Sequence, residues 1–231
     1  MIYITGDTHG DFRRIAYFCD TIETKREDIM IILGDAGINF YSGEKAERLK
    51  NQLADIPITL FCLHGNHENR AQNISTYKEQ QWHGGTVFIE GKYPNLIFAK
   101  DGEIYDIDGQ RCIVIGGAYS VDKFYRLQNG YGWWPDEQPS EKVKATVEKN
   151  LSAAGNTVDV VLSHTCPFRY IPREVFLPGI DQSTVDNSTE EWLDTIEGKL
   201  NYKKWYCGHY HTEKCIDKMQ FLFERIDEFR V

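Results

Sequence analysis

The chain is centred on the run Leu60-Phe61-Cys62-Leu63-His64-Gly65-Asn66-His67-Glu68, in which an apolar stretch ends abruptly at a glycine. The residues before Gly65 have the continuous apolar character of a buried strand. Glycine lets the backbone bend sharply there, so the amide, imidazole and carboxylate that follow point beyond the sheet edge. Packing does not require three such side chains at the end of a strand. The run therefore predicts a functional site at this place.

Two earlier strands end in the same way, in the runs Ile2-Tyr3-Ile4-Thr5-Gly6-Asp7-Thr8-His9-Gly10 and Ile29-Met30-Ile31-Ile32-Leu33-Gly34-Asp35. Asp7 and Asp35 are 28 residues apart, and Asp35 and Asn66 are 31 residues apart. Each interval has the length of a strand-helix-strand unit, which makes neighbouring strands parallel. We therefore expect Asp7, Asp35 and Asn66 to lie side by side, beyond the carboxyl ends of the strands of one sheet.

The other predicted elements follow from periodicity, glycine and proline positions, and capping residues. Helices are expected at about 11–23 (capped by Asp11), 43–54, 69–81 (a polar helix), 140–154 (capped by Ser140) and 188–200. Short antiparallel strands are expected over 86–119, with a hairpin at Asp108-Gly109. Two further strands are expected at 158–162 and 204–207, and a terminal hairpin at 215–229, turning near Asp217. A polar, Pro-rich loop precedes Asn187. The aromatic, irregular stretch 118–140 is interpreted as a cap over the site, and the alternative is a surface loop pinned by its aromatic side chains.

Polar side chains follow nearly every deep strand. They are Asp7, His9, Asp35, Asn66, His67, His164, His209 and His211. The pairs Asp7/His9 and His209/His211 are spaced i,i+2, which in extended backbone would aim both side chains to one side. His64 and His83 do not fit this spacing and are interpreted as ordinary structural histidines.

Mixed imidazole and carboxylate ligands suit divalent transition metals such as Mn, Fe, Zn, Co or Ni. Seven ligands exceed one tetrahedral site but suit two ions that share a carboxylate, at a separation of roughly 3.5–4 Å. Such a pair can hold a bridging hydroxide as the nucleophile and can neutralise phosphate oxygens. The pattern therefore predicts a dinuclear centre for phosphoester hydrolysis.

The order of five motifs resembles the calcineurin-like metallophosphoesterases, over nearly the whole chain. The motifs are Gly6-Asp7-Thr8-His9-Gly10, Gly34-Asp35, Gly65-Asn66-His67-Glu68, Ser163-His164-Thr165 and Gly208-His209-Tyr210-His211. The resemblance implies an α/β fold, a four-layer αββα sandwich of two mixed sheets flanked by helices. The chain length predicts a single domain, so we expect one metallophosphoesterase domain over 1–231, with 118–140 as a possible cap insertion.

The resemblance further implies how the ligands divide. One ion would take Asp7, His9, Asp35 and His211, and the other would take Asp35, Asn66, His164 and His209, with Asp35 bridging. His67 would then act as the general acid that protonates the leaving oxygen, or it would grip the phosphate.

The chain departs from the protein-phosphatase branch of that family. The branch continues its second motif with Val-Asp-Arg-Gly, whereas Asp35 here leads into Ala36-Gly37-Ile38-Asn39-Phe40, and His64 stands where the branch has arginine. The expected phosphate-binding arginine is thus missing, and Arg70 and Arg126 are the candidate substitutes. Glu68 is a candidate to orient a neighbour of a ligand.

Composition narrows the function classes. The net charge of -9 argues against general binding of nucleic acid or of anionic membranes, although bound cations can still attract a phosphorylated small molecule or nucleotide. No secretory leader and no spanning segment are recognised, and the six single cysteines are typical of a reducing compartment, so the cytoplasm is the expected location. Oligomeric state is left open.

Three alternative functions remain. The first is a serine/threonine phosphoprotein phosphatase, which the missing arginine disfavours. The second is a non-catalytic scaffold of the same fold, which the full set of ligand positions disfavours. The third is a nuclease, which the acidic charge disfavours for long substrates.

Overall fold

The computed structural model describes residues 1–176 and 182–231. Its strands are β1 (Ile2–Thr5), β2 (Ile29–Ile32), β3 (Thr59–Cys62), β4 (Lys78–Trp82), β5 (Gly85–Ile89), β6 (Leu96–Ala99), β7 (Ile104–Ile107), β8 (Gln110–Ile115), β9 (Val160–Ser163), β10 (Lys204–Cys207), β11 (Lys214–Ile216), β12 (Met219–Phe221) and β13 (Asp227–Glu228). Its α-helices are α1 (Arg13–Ile22), α2 (Gly43–Ala54), α3 (Lys123–Asn129), α4 (Glu141–Ala153) and α5 (Ser188–Glu197). Residues 177–181, part of the Pro-rich loop predicted before Asn187, lie outside the described residues.

The strands form two mixed sheets. The first sheet has the order β13-β1-β2-β3-β6-β5-β4, and the second has the order β11-β12-β10-β9-β8-β7. β1, β2 and β3 are parallel neighbours, as the two intervals between Asp7, Asp35 and Asn66 predicted. In the second sheet β8, β9 and β10 are also parallel.

Three apolar clusters bind the layers together. The cluster between the sheets joins side chains such as Phe61 from the first sheet to Tyr105 and Tyr206 from the second. A second cluster packs α1 and α2 on the outer face of the first sheet. A third packs α4 and α5 on the outer face of the second sheet. The four-layer αββα sandwich is thereby confirmed.

The predicted polar helix at 69–81 is wrong. The chain makes a short 3-10 turn at Ala71–Asn73 and then forms β4, which pairs antiparallel with β5 through a turn at His83 and Gly84. Most β4 side chains are exposed because β4 is an edge strand, so its sequence lacks the alternation of a half-buried strand. Trp82 anchors it by stacking on Phe61, with ring centroids 4.7 Å apart.

Several local predictions are confirmed. Asp108 and Gly109, both with positive φ, turn the β7–β8 hairpin. The Ser140 hydroxyl accepts the Val143 amide at the start of α4.

The predicted cap stretch contains the short helix α3. The predicted terminal hairpin is shorter than expected, since β11 and β12 pair around Asp217 whereas β13 joins the first sheet beside β1.

Among the described residues, every helix is too short or too polar to cross a membrane. The six cysteines are free thiols, and five of them are buried.

Candidate metal centre

The polar side chains converge where the carboxyl ends of the two sheets meet. Asp7, Asp35 and Asn66 follow β1, β2 and β3 of the first sheet, and His164 and His209 follow β9 and β10 of the second. Parallel strands bring their carboxyl ends to one edge, which is why residues far apart in the chain meet here.

One group of potential ligands consists of Asp7, His9 and His211. The Nε2 atoms of His211 and His9 lie 3.4 and 3.8 Å from Oδ2 of Asp7, and they lie 2.9 Å from each other. The His211 ring stacks on Phe223 at 4.3 Å, which fixes its plane. These three side chains present ligand atoms to a common point.

A second group consists of Asp35, His164 and Asn66. Nδ1 of His164 lies 2.7 Å from the Leu33 carbonyl oxygen, so this nitrogen carries the ring proton. With the proton on Nδ1, Nε2 presents a lone pair and faces Oδ1 of Asn66 at 2.8 Å. The Asn66 amide donates its N–H to the Ser120 hydroxyl at 2.9 Å, which fixes the amide orientation. Two acceptors facing each other fit a shared cation.

His209 joins the two groups. Its backbone amide donates a hydrogen bond to Oδ1 of Asp7 at 3.0 Å, and its ring lies 5.0 Å from the ring of His164. Burial, together with the nearby histidines, holds the pKa of His209 well below its ordinary value. The ring is therefore neutral at physiological pH and free to act as a ligand.

The carboxylate of Asp7 is in the state that a cation requires. Asp7 and Asp35 are buried, and among the described residues Oδ2 of Asp7 has no hydrogen-bond partner. Burial raises the pKa of Asp7, but the His211 imidazole, whose Nε2 lies 3.4 Å from Oδ2, and the neighbouring histidines outweigh it, and the net pKa is lowered. An ionised, buried carboxylate with an unpartnered oxygen fits a divalent ion.

A match over most of the sequence shows the family. The calcineurin-like phosphoesterases match residues 1–213. The chain belongs to this family. Its members hydrolyse phosphoesters with bound metal, and the clusters described above supply candidate metal-binding residues for this chain.

Two solved structures show the same fold. One is the crystal structure of TT1561 of Thermus thermophilus, with 12% identity, 96% of this chain and 87% of that chain covered, and a TM-score of 0.51. Another has 13% identity, 96% and 88% coverage and a TM-score of 0.50. No functionally curated protein matches the chain.

In this calcineurin-like phosphoesterase, two glycines let ligands approach the backbone. A Cβ at Gly65 would lie 1.9 Å from Oδ1 of Asp35, and a Cβ at Gly34 would lie 2.1 Å from Nδ1 of His164. Each glycine precedes one ligand in the chain and makes room for another. Close approach is thus the reason that these strands end in glycine.

Four ligand candidates have left-handed backbone conformations. They are His9, Asp35, His209 and His211, with φ values of 49°, 47°, 66° and 48°. The i,i+2 argument from extended backbone is therefore wrong, although the paired residues do converge. Such φ values are strained for side chains with a Cβ, and strain of this kind is typical of functional sites.

Glu68 braces the loop that follows Asp35. It is fully buried, and its two carboxylate oxygens accept the amides of Ala36 and Asn39 at 3.0 and 3.3 Å. Burial, followed by the charge of Asp35, raises the pKa of Glu68 to about 8. Glu68 thus holds the backbone that follows the candidate ligand Asp35.

His67 lies between the ligands and α3. Its backbone amide donates to Oδ1 of Asp35 at 2.7 Å, and its ring lies 5.4 Å from that of His9. Its ring nitrogens come close enough to His9 and Asp35 to share an ion with them. Burial lowers the pKa of His67, and Nδ1 accepts a hydrogen bond from Nη2 of Arg126. A role as general acid and a role as ligand are both geometrically open.

The two candidate arginines lie in different environments. Arg70 is buried, pairs with the buried carboxylate of Asp101 and donates from Nε to the Asp136 carbonyl at 2.7 Å. Arg70 is thus held by structural partners, which is at odds with the expectation that it contacts phosphate. Arg126 lies directly against His67, and its Nε and Nη1 are held by Asp122 at 2.7 Å and the Gly132 carbonyl at 3.0 Å.

The two histidines set aside in the sequence are outside the ligand clusters. His64 is buried, and its carbonyl accepts the Gly117 amide at 2.8 Å. His83 places Nδ1 2.8 Å from the Asp106 carbonyl in the β4–β5 turn.

Sequence reasoning missed two residues of the 118–140 stretch. Ser120 orients the Asn66 amide, and Oδ1 of Asp122 lies 3.9 Å from Nε2 of His67. Both lie in the irregular chain after β8, several residues beyond Gly116 and Gly117. Only the repeated pattern of glycine at strand ends could have directed attention to this loop.

Proposed function

We propose that the chain is a dinuclear-metal phosphohydrolase that cleaves a phosphomonoester or phosphodiester of a small or nucleotide-like substrate. One observation carries the proposal. Oδ2 of Asp35 lies 3.9 Å from Nδ1 of His9 and 3.7 Å from Nε2 of His164, so one carboxylate faces both ligand groups. A shared carboxylate is the usual link between two catalytic metal ions.

The residues divide between two ions in the proposal. Asp7, His9, Asp35 and His211 would hold one, and Asp35, Asn66, His164 and His209 would hold the other. Manganese suits the carboxylate and amide oxygens of this mixed donor set, and Fe, Zn, Co or Ni would also suit its imidazoles. When bound, the ions would activate water as the nucleophile and neutralise phosphate oxygens.

His67 is proposed to protonate the leaving oxygen. Because Arg126 donates to Nδ1, the proton of the neutral ring is on Nε2, from which it can donate a hydrogen bond to the leaving oxygen. Full transfer of a proton requires the imidazolium form, in which Nδ1 is also protonated and no longer accepts from Arg126. Arg126 itself is a fixed cation at the edge of the site and is proposed to contact the phosphate. Asp122 holds the guanidinium in place.

The chain is proposed to act in the cytoplasm on a soluble phosphorylated compound. Six free cysteines support a reducing compartment. The acidic net charge supports a small substrate over a long nucleic acid.

The test is hydrolysis by manganese-loaded protein of an aryl monoester, a bis-aryl diester, cyclic nucleotides, dinucleoside polyphosphates and a phosphoserine peptide. We expect turnover of at least one small ester, loss of turnover on chelation, and recovery with manganese. Equal activity on the phosphopeptide and the aryl ester would instead favour a phosphoprotein phosphatase. No turnover of any ester by protein that holds two ions would overturn the proposal and leave a scaffold.

A further inference from the structure

We propose that Phe40, Tyr41 and Trp134 form a subsite for the leaving group and bind a planar aromatic ring, such as a nucleobase. The inference rests on the proposed function, since it names the substrate class of the same site. It concerns side chains that the metal centre does not use.

The first step concerns the side of the centre on which the leaving group must lie. A general acid has to reach the leaving oxygen, so the leaving group lies on the His67 side. Arg126, whose Nη2 contacts Nδ1 of His67, has its guanidinium carbon 5.9 Å from the centre of the Phe40 ring. The aromatic residues therefore begin one side chain away from the proposed acid.

The second step concerns how the aromatic side chains are arranged. The Phe40 ring meets the Trp134 ring edge-on at 5.7 Å and the Tyr41 ring edge-on at 4.9 Å. Phe40 and Trp134 are partly exposed, and Tyr41 is exposed. Partly exposed rings that are already in contact offer apolar faces and edges to a further ring, which gains stacking as well as burial.

The third step concerns the rigidity of this wall. The carboxylate of the buried Glu68 accepts the Asn39 amide, and the Asn39 carbonyl accepts the Asn69 amide at 3.3 Å. The residue before Phe40 is thus tied to the segment that carries His67. On the other side, the Gly132 carbonyl accepts Nη1 of Arg126, which places Trp134 against Phe40. A preformed surface binds a rigid ring with little loss of conformational freedom.

The experiment compares ligands that differ only in the base. Adenosine and ribose are titrated into manganese-loaded protein by calorimetry, and kcat/KM is measured for adenosine 5′-monophosphate and ribose 5-phosphate, which share one leaving oxygen. We expect the base to improve binding about tenfold, which corresponds to about 1.4 kcal/mol. Trp134→Ala and Phe40→Leu should each reduce the ratio of adenosine affinity to ribose affinity, and the corresponding ratio of the two kcat/KM values, towards one. Both variants should retain the bound metal. Tyr17→Ala, an exposed aromatic on α1, is the matched control and should leave the ratio unchanged.

The outcomes separate this inference from the proposed function. Equal binding of adenosine and ribose, or a base preference that survives both Trp134→Ala and Phe40→Leu, overturns the subsite even if phosphoesters are hydrolysed. Base-dependent binding that Trp134→Ala abolishes supports the subsite even if no ester is turned over, in which case the proposed function alone fails. Thermal melting of each variant confirms that the fold is intact.

Discussion

The metal centre and the 118–140 segment border the same site but are built differently. Asp7, Asp35, Asn66 and His164 are buried at the ends of parallel strands, where neighbouring backbone and glycines confine them. Every residue of α3, by contrast, is at least partly exposed, and the helix reaches the site through the contacts of Arg126 and Asp122 with His67. In the proposed function, metal binding would therefore depend on packing, whereas handling of the substrate would depend on polar contacts made by a surface segment.

A pair of glycine substitutions tests this contrast with the largest expected effect. Gly34 and Gly130 both have positive φ, so alanine strains the backbone at both, by about 1–2 kcal/mol. At Gly34 the new Cβ would also strike the His164 ring, whereas at Gly130 no described residue lies within 4 Å of it. We expect Gly34→Ala to lower activity and metal content drastically and Gly130→Ala to lower only the melting temperature, slightly. Equal effects, measured by metal analysis and melting, would contradict the contrast.

His67→Ala separates chemistry from metal binding. If His67 is the general acid, the variant should keep its metal and lose about 10³-fold in kcat, within the range for general acid catalysis. Metal content by plasma emission and kcat on the best ester are the readouts. Loss of one ion in this variant would instead assign His67 to the ligands, together with His9 and Asp35.

Replacing Arg70 should affect stability, whereas replacing Arg126 should affect the kinetics. Arg70→Ala leaves the buried carboxylate of Asp101 unpaired and should lower the free energy of unfolding by about 3–5 kcal/mol. Arg126→Ala should leave stability nearly unchanged and raise KM about tenfold, or about 1.4 kcal/mol. Denaturant unfolding and steady-state kinetics distinguish the two. A large KM effect with unchanged stability for Arg70→Ala would restore Arg70 as a phosphate contact.

The smallest effect is expected behind the metal centre, at Glu190. Its Oε1 accepts the Thr165 hydroxyl at 2.7 Å, and Oε2 has no hydrogen-bond partner among the described residues. Burial raises the pKa of Glu190, so its contribution to stability is fully present below the unfolded pKa of about 4.3 and is lost as pH rises through the folded pKa. The glutamine of the Glu190→Gln variant carries no charge. The variant should therefore melt about 2–4 °C higher than the unaltered protein at pH 7.5 and at the same temperature at pH 4. A lower melting temperature at pH 7.5 would show that the charged form is stabilising.

Sequence reasoning reached the fold, and it named candidate ligands that the structure brings together, because both depend on strong local signals. Apolar strands that end in glycine mark the carboxyl edge of a parallel sheet, and the intervals between Asp7, Asp35 and Asn66 match strand-helix-strand units. The edge strand β4 was missed because its exposed side chains carry no burial pattern. Its pairing with β5 and the anchoring of Trp82 on Phe61 are set by tertiary contacts.

The surroundings of the candidate ligands, where the substrate is proposed to bind, could not be derived from the sequence in the same way. Arg70 and Arg126 look alike as letters, and only the buried Asp101 shows that Arg70 has a structural partner. The contacts of Ser120 with Asn66 and of Asp122 with His67 join segments more than fifty residues apart, and no regular spacing relates them. The aromatic stretch at 118–140 was interpreted as a cap from its composition, and its contacts depend on how the chain folds back.

The number of metal ions per chain tests the central claim most directly. Purified protein loaded with manganese, then freed of excess metal, should hold two ions per chain, and Asp35→Asn should hold neither, because one carboxylate serves both ligand groups. Asp11→Asn, at an exposed carboxylate that pairs with Arg13, is the control and should keep both ions. One fully occupied site in Asp35→Asn, or a single ion in the unaltered protein, would contradict a centre that is bridged by Asp35.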